Sequence, residues 1–136
     1  MDQITWKDEL SVGVEKLDQQ HQKIIDVLNQ LITLINLEVT DESQYSSPLQ
    51  MMLVSIREHL HFEEYMLKKF NYPDFQAHAQ IHEDLFTKLD HYESRLKNLD
   101  LQTITELVGY LKGWWIDHIY QTDMKYKDFF NDQHLS

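Results

Sequence analysis

Six polar side chains stand where helical periodicity calls for apolar ones: His21, His59, Glu63, His78, His82 and His118. Two pairs among them, His59/Glu63 and His78/His82, are four residues apart, so each pair projects from one helix face, one turn above the other. Burying a carboxylate among imidazoles costs on the order of several kcal/mol unless something compensates. A metal ion does so, by becoming the partner of every lone pair. Nitrogen and oxygen donors without sulfur suit iron, and by softness also zinc, manganese or copper. Five histidines with carboxylates exceed the needs of one ion and fit two. A structural zinc site is four-coordinate and closed. The carboxylate-rich di-iron bundles use Glu-x-x-His pairs, and no such pair lies on a core stripe of this chain.

The elements that must hold these residues follow from the same periodicity. The first apolar stripe is Leu17, His21, Ile24, Leu28, Leu31 and Ile35, with Asp18 as the expected N-cap. A polar loop over residues 40–47 follows, and Ser47-Pro48 reads as N-cap and first position of a second helix. Its stripe is Met52, Ile56, His59, Glu63, Met66 and Phe70. Asn71-Tyr72-Pro73-Asp74 breaks that helix and caps a third, with Phe75, His78, His82, Leu85, Leu89, Tyr92 and Leu96. After the break Asn98-Leu99-Asp100, a fourth carries Ile104, Leu107, Leu111, Trp114, Trp115 and His118. The expected helices span about 18–38, 48–70, 74–97 and 101–121, within a single domain over residues 1–136. Residues 1–16 are expected to be an extended N-terminal arm covering one end. The tail with Tyr126, Phe129 and Phe130 either prolongs the last helix or folds back.

Four helices joined by short loops predict an all-α fold, an antiparallel up-down-up-down four-helix bundle. That order supplies an independent check. His21 opens the first helix, Glu63 falls late in the second, His78 and His82 open the third, and His118 falls late in the fourth. All then share one end of the bundle, within roughly two turns of one level. Asp123 is five residues beyond His118, about 140° round an ideal helix. On periodicity alone its membership stays open; it joins only where the helix widens or ends. His61 and His91 sit about 200° and 180° from His59 and His82, so both should face water. His134 lies in the tail and is not expected to be a ligand. Trp114, Trp115, Phe62, Phe86 and the methionines read as core filling rather than cofactor contacts, with some of them placed to line the metal pocket.

Composition excludes other classes. The 136 residues carry 12 Lys+Arg against 23 Asp+Glu, a formal charge of −11. Nucleic acid and anionic lipid both call for a basic surface. With no cysteine, disulfides, thiolate metal sites and Cys nucleophiles are excluded. No apolar run approaches the roughly 18 residues of a membrane span. The opening residues lack a basic stretch followed by an apolar one, so the expected location is cytoplasmic.

The pattern resembles the hemerythrin family in its stand-alone bacterial form. The resemblance rests on His21, on His59-Leu60-His61-Phe62-Glu63, on His78-Ala79-Gln80-Ile81-His82 and on His118-Ile119-Tyr120-Gln121-Thr122-Asp123. Trp6 in the arm, Tyr72-Pro73 and Asp123-Met124-Lys125-Tyr126 match as well. The resemblance implies two iron ions bridged by an oxo or hydroxo group, with O2 as ligand. It implies His78, His82 and His118 on one iron, His21 and His59 on the other, and Glu63 and Asp123 bridging. This leaves two six-coordinate irons one position short, on the iron with two histidines. The implied activity is reversible O2 binding without catalysis, in a carrier, store or supply protein, with small anions as ligands of the diferric form. O2 or redox sensing through a separate protein partner, and peroxide or NO reduction, are the alternatives. Three residues before the last ligand histidine, family members commonly carry a leucine lining the O2 pocket; here Trp115 stands there and is the expected lining.

Overall fold

The computed structural model describes residues 1–98 and 100–133; Leu99 and His134 lie outside the described residues. Four long helices make the bundle: α1 (Glu15–Asn36), α2 (Ser43–Lys69), α3 (Phe75–Arg95) and α4 (Leu101–Gln121). A 3-10 turn, Asp123–Tyr126, then leads into a short α5 (Lys127–Asp132). There is no strand among the described residues, and no described helix is long and apolar enough to cross a membrane. Helix α1 packs on α2 and α4, and α3 packs on the same two. This is the antiparallel up-down-up-down order.

The helix ends show why the chain turns where it does. Helix α1 closes with Glu38 at φ 56° and with Glu38 N–H and Val39 N–H donating to the carbonyls of Ile35 and Leu34. Helix α2 ends likewise: Asn71 sits at φ 59°, and Asn71 and Tyr72 donate to the carbonyls of Lys68 and Leu67. Both are Schellman closures, and in the second Tyr72 and Leu67 belong to one apolar cluster. The second one aims the chain into α3, whose first two turns carry His78 and His82. Asp100 caps α4 by accepting from Gln102 N–H at 3.1 Å.

Two expected helix starts are corrected. Asp18 is not an N-cap: α1 begins at Glu15, and the Asp18 carboxylate instead accepts from Ser11 Oγ at 2.5 Å and Val12 N–H at 2.8 Å. It ties the arm to the first turn. The turn between them passes through Gly13 at φ +79°, a backbone conformation that glycine adopts without a Cβ penalty. Nor does Ser47-Pro48 start α2. That helix begins at Ser43, where Asp41 Oδ1 accepts from Ser43 N–H and Oγ, and the buried Tyr45 hydroxyl donates to Val39 C=O at 2.9 Å. Pro48 is then inside the helix, forgoing only the bond its nitrogen would make to Gln44. Val12 and Val14 of the arm do cover one end, in a cluster with Tyr126 and Phe130, but the arm reaches beyond it. It runs the length of α1 beside α4: Met1 meets Asn36, Ile4 exchanges two 2.8 Å hydrogen bonds with Asn29, and Lys112 Nζ donates to Asp2 C=O.

Two apolar clusters result. The larger fills the bundle from Tyr45 and Ile104 to Leu60 and Ile119. The smaller joins Val12, Val14, Leu17, Leu67, Tyr72, Tyr126 and Phe130, because the tail folds back over the bundle end. The unusual polar residues lie where the two clusters meet: His21 between Leu17 and Ile24, Glu63 between Leu60 and Leu67, and His59 and His118 beside Leu60 and Ile119 at the edge of the larger.

Candidate metal centre

The layer between the clusters is buried and polar. His21, Glu63, His82 and Asp123 have no exposed surface, and His59, His78 and His118 are 1%, 3% and 4% exposed. Each long helix contributes at its expected level. Asp123 arrives because α4 stops at Gln121, so the carboxylate opens the next 3-10 turn rather than continuing the helix. This removes the 140° conflict that periodicity left open.

Two overlapping donor sets follow. One comprises Glu63, His78, His82, His118 and Asp123; the other comprises His21, His59, Glu63 and Asp123. Within each set the donor atoms lie within 4.8 Å of one another, and Glu63 and Asp123 belong to both. Several spacings match one coordination shell. At metal–donor bonds of about 2.1 Å, donors at right angles stand about 3.0 Å apart. His118 Nε2 is 3.0 Å from Asp123 Oδ1, and His82 Nε2 is 3.1 Å from Glu63 Oε1. His82 and His118 present Nε2 atoms to each other at 3.1 Å. The spacing is met again where His21 Nε2 lies 3.2 Å from Asp123 Oδ2.

His59 supplies the sharpest test of fit. Its Nδ1 lies 2.5 Å from Gln20 Oε1. An amide oxygen only accepts, so Nδ1 carries the proton. The neutral ring then turns its Nε2 lone pair toward Glu63 Oε2, 3.2 Å away. Burial and the charge of His21 hold this imidazole below its ordinary pKa, which keeps it neutral. Two lone pairs facing each other in the interior call for a cation between them. His21 Nε2, His59 Nε2 and both Asp123 oxygens are buried without a hydrogen-bond partner in the described structure. Such orphans are rare in native interiors, and here they converge. The residues fit a pair of metal ions.

Without metal, the remaining charges are set by the two carboxylates. Burial alone would push the imidazoles of His21, His78 and His118 down. Contacts and charge from Asp123 and Glu63 instead raise them to about 9, about 10 and about 9. Burial pushes both carboxyls up, and the surrounding histidines overcome it: Glu63 and Asp123 are held well below the usual carboxylate range.

Sequence reasoning missed the groups behind the donors. Besides Gln20, these are Tyr126, whose buried hydroxyl donates to Glu63 Oε2 at 2.9 Å, and Glu64, whose Oε2 lies 3.5 Å from His82 Nδ1. Burial first, then the nearby Asp123 and Glu63 charges, push the Tyr126 hydroxyl well above its ordinary pKa, so it stays a donor. Helical periodicity carried no signal for Gln20 or Glu64, which simply adjoin donors in sequence. Trp115 is fully buried, its ring centroid 5.5 Å from those of both His21 and His59. His61 and His91 are exposed and outside the layer; His61 stacks on Phe86.

The family model described as the hemerythrin HHE cation binding domain matches residues 12–130. The chain belongs to the hemerythrin family. Family relatives include a bacteriohemerythrin from Stenotrophomonas maltophilia, 28% identical over 129 residues, covering 92% of this chain and 80% of the relative. A myohemerythrin from Theromyzon tessulatum is 29% identical over 122 residues, covering 90% and 89%. The fold superposes on a crystal structure of a hemerythrin carrying one leucine-to-alanine substitution, with TM-score 0.79 and 23% identity, over 94% of this chain and 97% of that one.

Proposed function

We propose that this protein binds O2 reversibly at a non-haem di-iron centre, as a carrier, store or supply protein rather than a catalyst. The observation that carries the reading is the inequality of the two donor sets, five residues against four, with both carboxylates shared. His78, His82 and His118 would hold one iron and His21 and His59 the other, with Glu63 and Asp123 between them. Held there, two iron ions would supply the two-electron redox chemistry that reversible O2 binding needs. The set with fewer donors, around His21 and His59, would leave room for an exogenous ligand.

The chain's own residues prepare that chemistry. Gln20 fixes the His59 tautomer so that Nε2 faces the metal. Tyr126 holds Glu63 by its second oxygen. The small apolar cluster and Trp115 close the layer from two sides, and excluding water protects a reactive adduct. Gln20 and Trp115, the groups flanking His21 and His59, are an amide and an indole, neither of which titrates near neutrality. This favours binding over turnover. Iron also suits the imidazole-rich, sulfur-free donors better than magnesium or calcium.

The test is anaerobic reduction with dithionite, removal of the reductant and exposure to air, with the visible spectrum recorded and metal counted per chain. About two irons and a charge-transfer band that appears in air and fades under argon are expected. Immediate conversion to an oxidised, anion-binding form would move the reading to sensing or to peroxide or NO reduction. A chain that takes up no iron would overturn it.

A further inference from the structure

An indole nitrogen is a donor and nothing else, and a buried one nearly always finds an acceptor. Trp115 Nε1 is buried and has none in the described structure. Phenylalanine would also present an aromatic ring here without leaving a donor unsatisfied, so the buried, unpaired N–H itself calls for an explanation. Its position offers one. The ring stands nearly perpendicular to His21 and His59, at 85° and 74°, against the donor set that is one residue short.

We infer that Trp115 is a ligand-recognition residue, its indole N–H hydrogen-bonding a small acceptor-bearing molecule or anion held beside His21 and His59. The inference rests on the metal-centre reading above and adds a polar contact to a site otherwise closed by apolar surface. A pocket that offers a hydrogen bond discriminates by it, because a ligand without an acceptor leaves the donor unpaired. Anions and polarised diatomics are therefore retained over neutral, non-accepting molecules of the same size.

Azide on the oxidised, iron-loaded protein is the probe, titrated by visible absorption, with iron counted on each sample. Trp115→Phe keeps an aromatic ring and removes the N–H; azide affinity is expected to fall about ten-fold, as for a lost hydrogen bond to a charged group. On the unmutated protein, transfer to D2O is expected to shift the stretching band of bound azide, and Trp115→Phe to abolish that shift. Equal affinity in Trp115→Phe with two irons bound, or no D2O shift in the unmutated protein, overturns the donor role alone. An unmutated chain that binds no iron overturns the metal-centre reading and this inference with it.

Discussion

The two halves of the layer meet at the same carboxylates and differ in everything behind them. On one side stand His78, His82 and His118, with Glu64 behind His82 and Trp114 stacked on His118, ring centroids 4.3 Å apart. A surface cleft of about 270 Å³, lined by Tyr72, Asp74, Lys125 and others, reaches His78. On the other side His21 and His59 lie under Trp115, with the Gln20 amide behind His59. The side nearer the surface has three histidines and the sealed side two. On the proposed reading, that burial would admit to the poorer half only ligands small enough to enter a closed interior.

The largest effect should come from what the halves share. Glu63→Ala removes a donor from both sets, and metal content is expected to fall from about two ions per chain to less than about one, read by elemental analysis. Replacing a donor of one half only should separate them: His118→Ala and His21→Ala are each expected to retain about one ion. Loss of both ions in either variant would show that the halves are not independent.

Next comes stability in the absence of metal. The raised values of His21, His78 and His118 mean that their contribution is complete below pH 6.5 and is lost as pH climbs through 9 to 10. The depressed carboxyls act at the acid end, stabilising above their ordinary range of about 4 and losing that contribution as pH falls below it. The lowered value of His59 opposes the other histidines by costing stability below pH 6.5. Chelator-stripped protein should therefore melt lower at pH 10 than at pH 7, by more than about 5 °C. The loaded protein should change little over that range, because metal holds the same lone pairs. Thermal unfolding of both forms decides it.

Smaller effects sharpen the contrast. Gln20→Leu frees His59 to turn, and metal affinity of the donor-poor half is expected to drop about ten-fold, with the other half unchanged in a competitive chelator titration. Tyr126→Phe removes one buried hydrogen bond to Glu63 and should cost about 1 kcal/mol in denaturant unfolding.

Much of this molecule was legible in the chain. Six of the seven donor positions follow from helical phase, because a polar residue on an apolar stripe is conspicuous and four-residue spacing aligns pairs. The bundle follows from four stripes and short breaks, and antiparallel order alone brings His21, Glu63, His82 and His118 to one level. Boundaries were less legible. Asp18 and Ser47-Pro48 have the composition of helix starts, yet Asp18 binds the arm and Asp41 starts α2 earlier. Side chains that cap in one context bond elsewhere when tertiary partners compete.

What the sequence by itself determined is six of the seven donors, the face of each helix that carries them and the order in which the helices return. Those depend on local periodicity, which each segment holds without its neighbours. Tertiary structure decided the rest: that α4 ends where Asp123 can turn inward, that Tyr126 folds back onto Glu63, that Gln20 meets His59, and that Trp115 closes over the poorer half. These contacts join residues on different helices, or depend on where a helix stops. A one-dimensional repeat specifies neither, because its period fixes directions within one helix and leaves open what stands opposite.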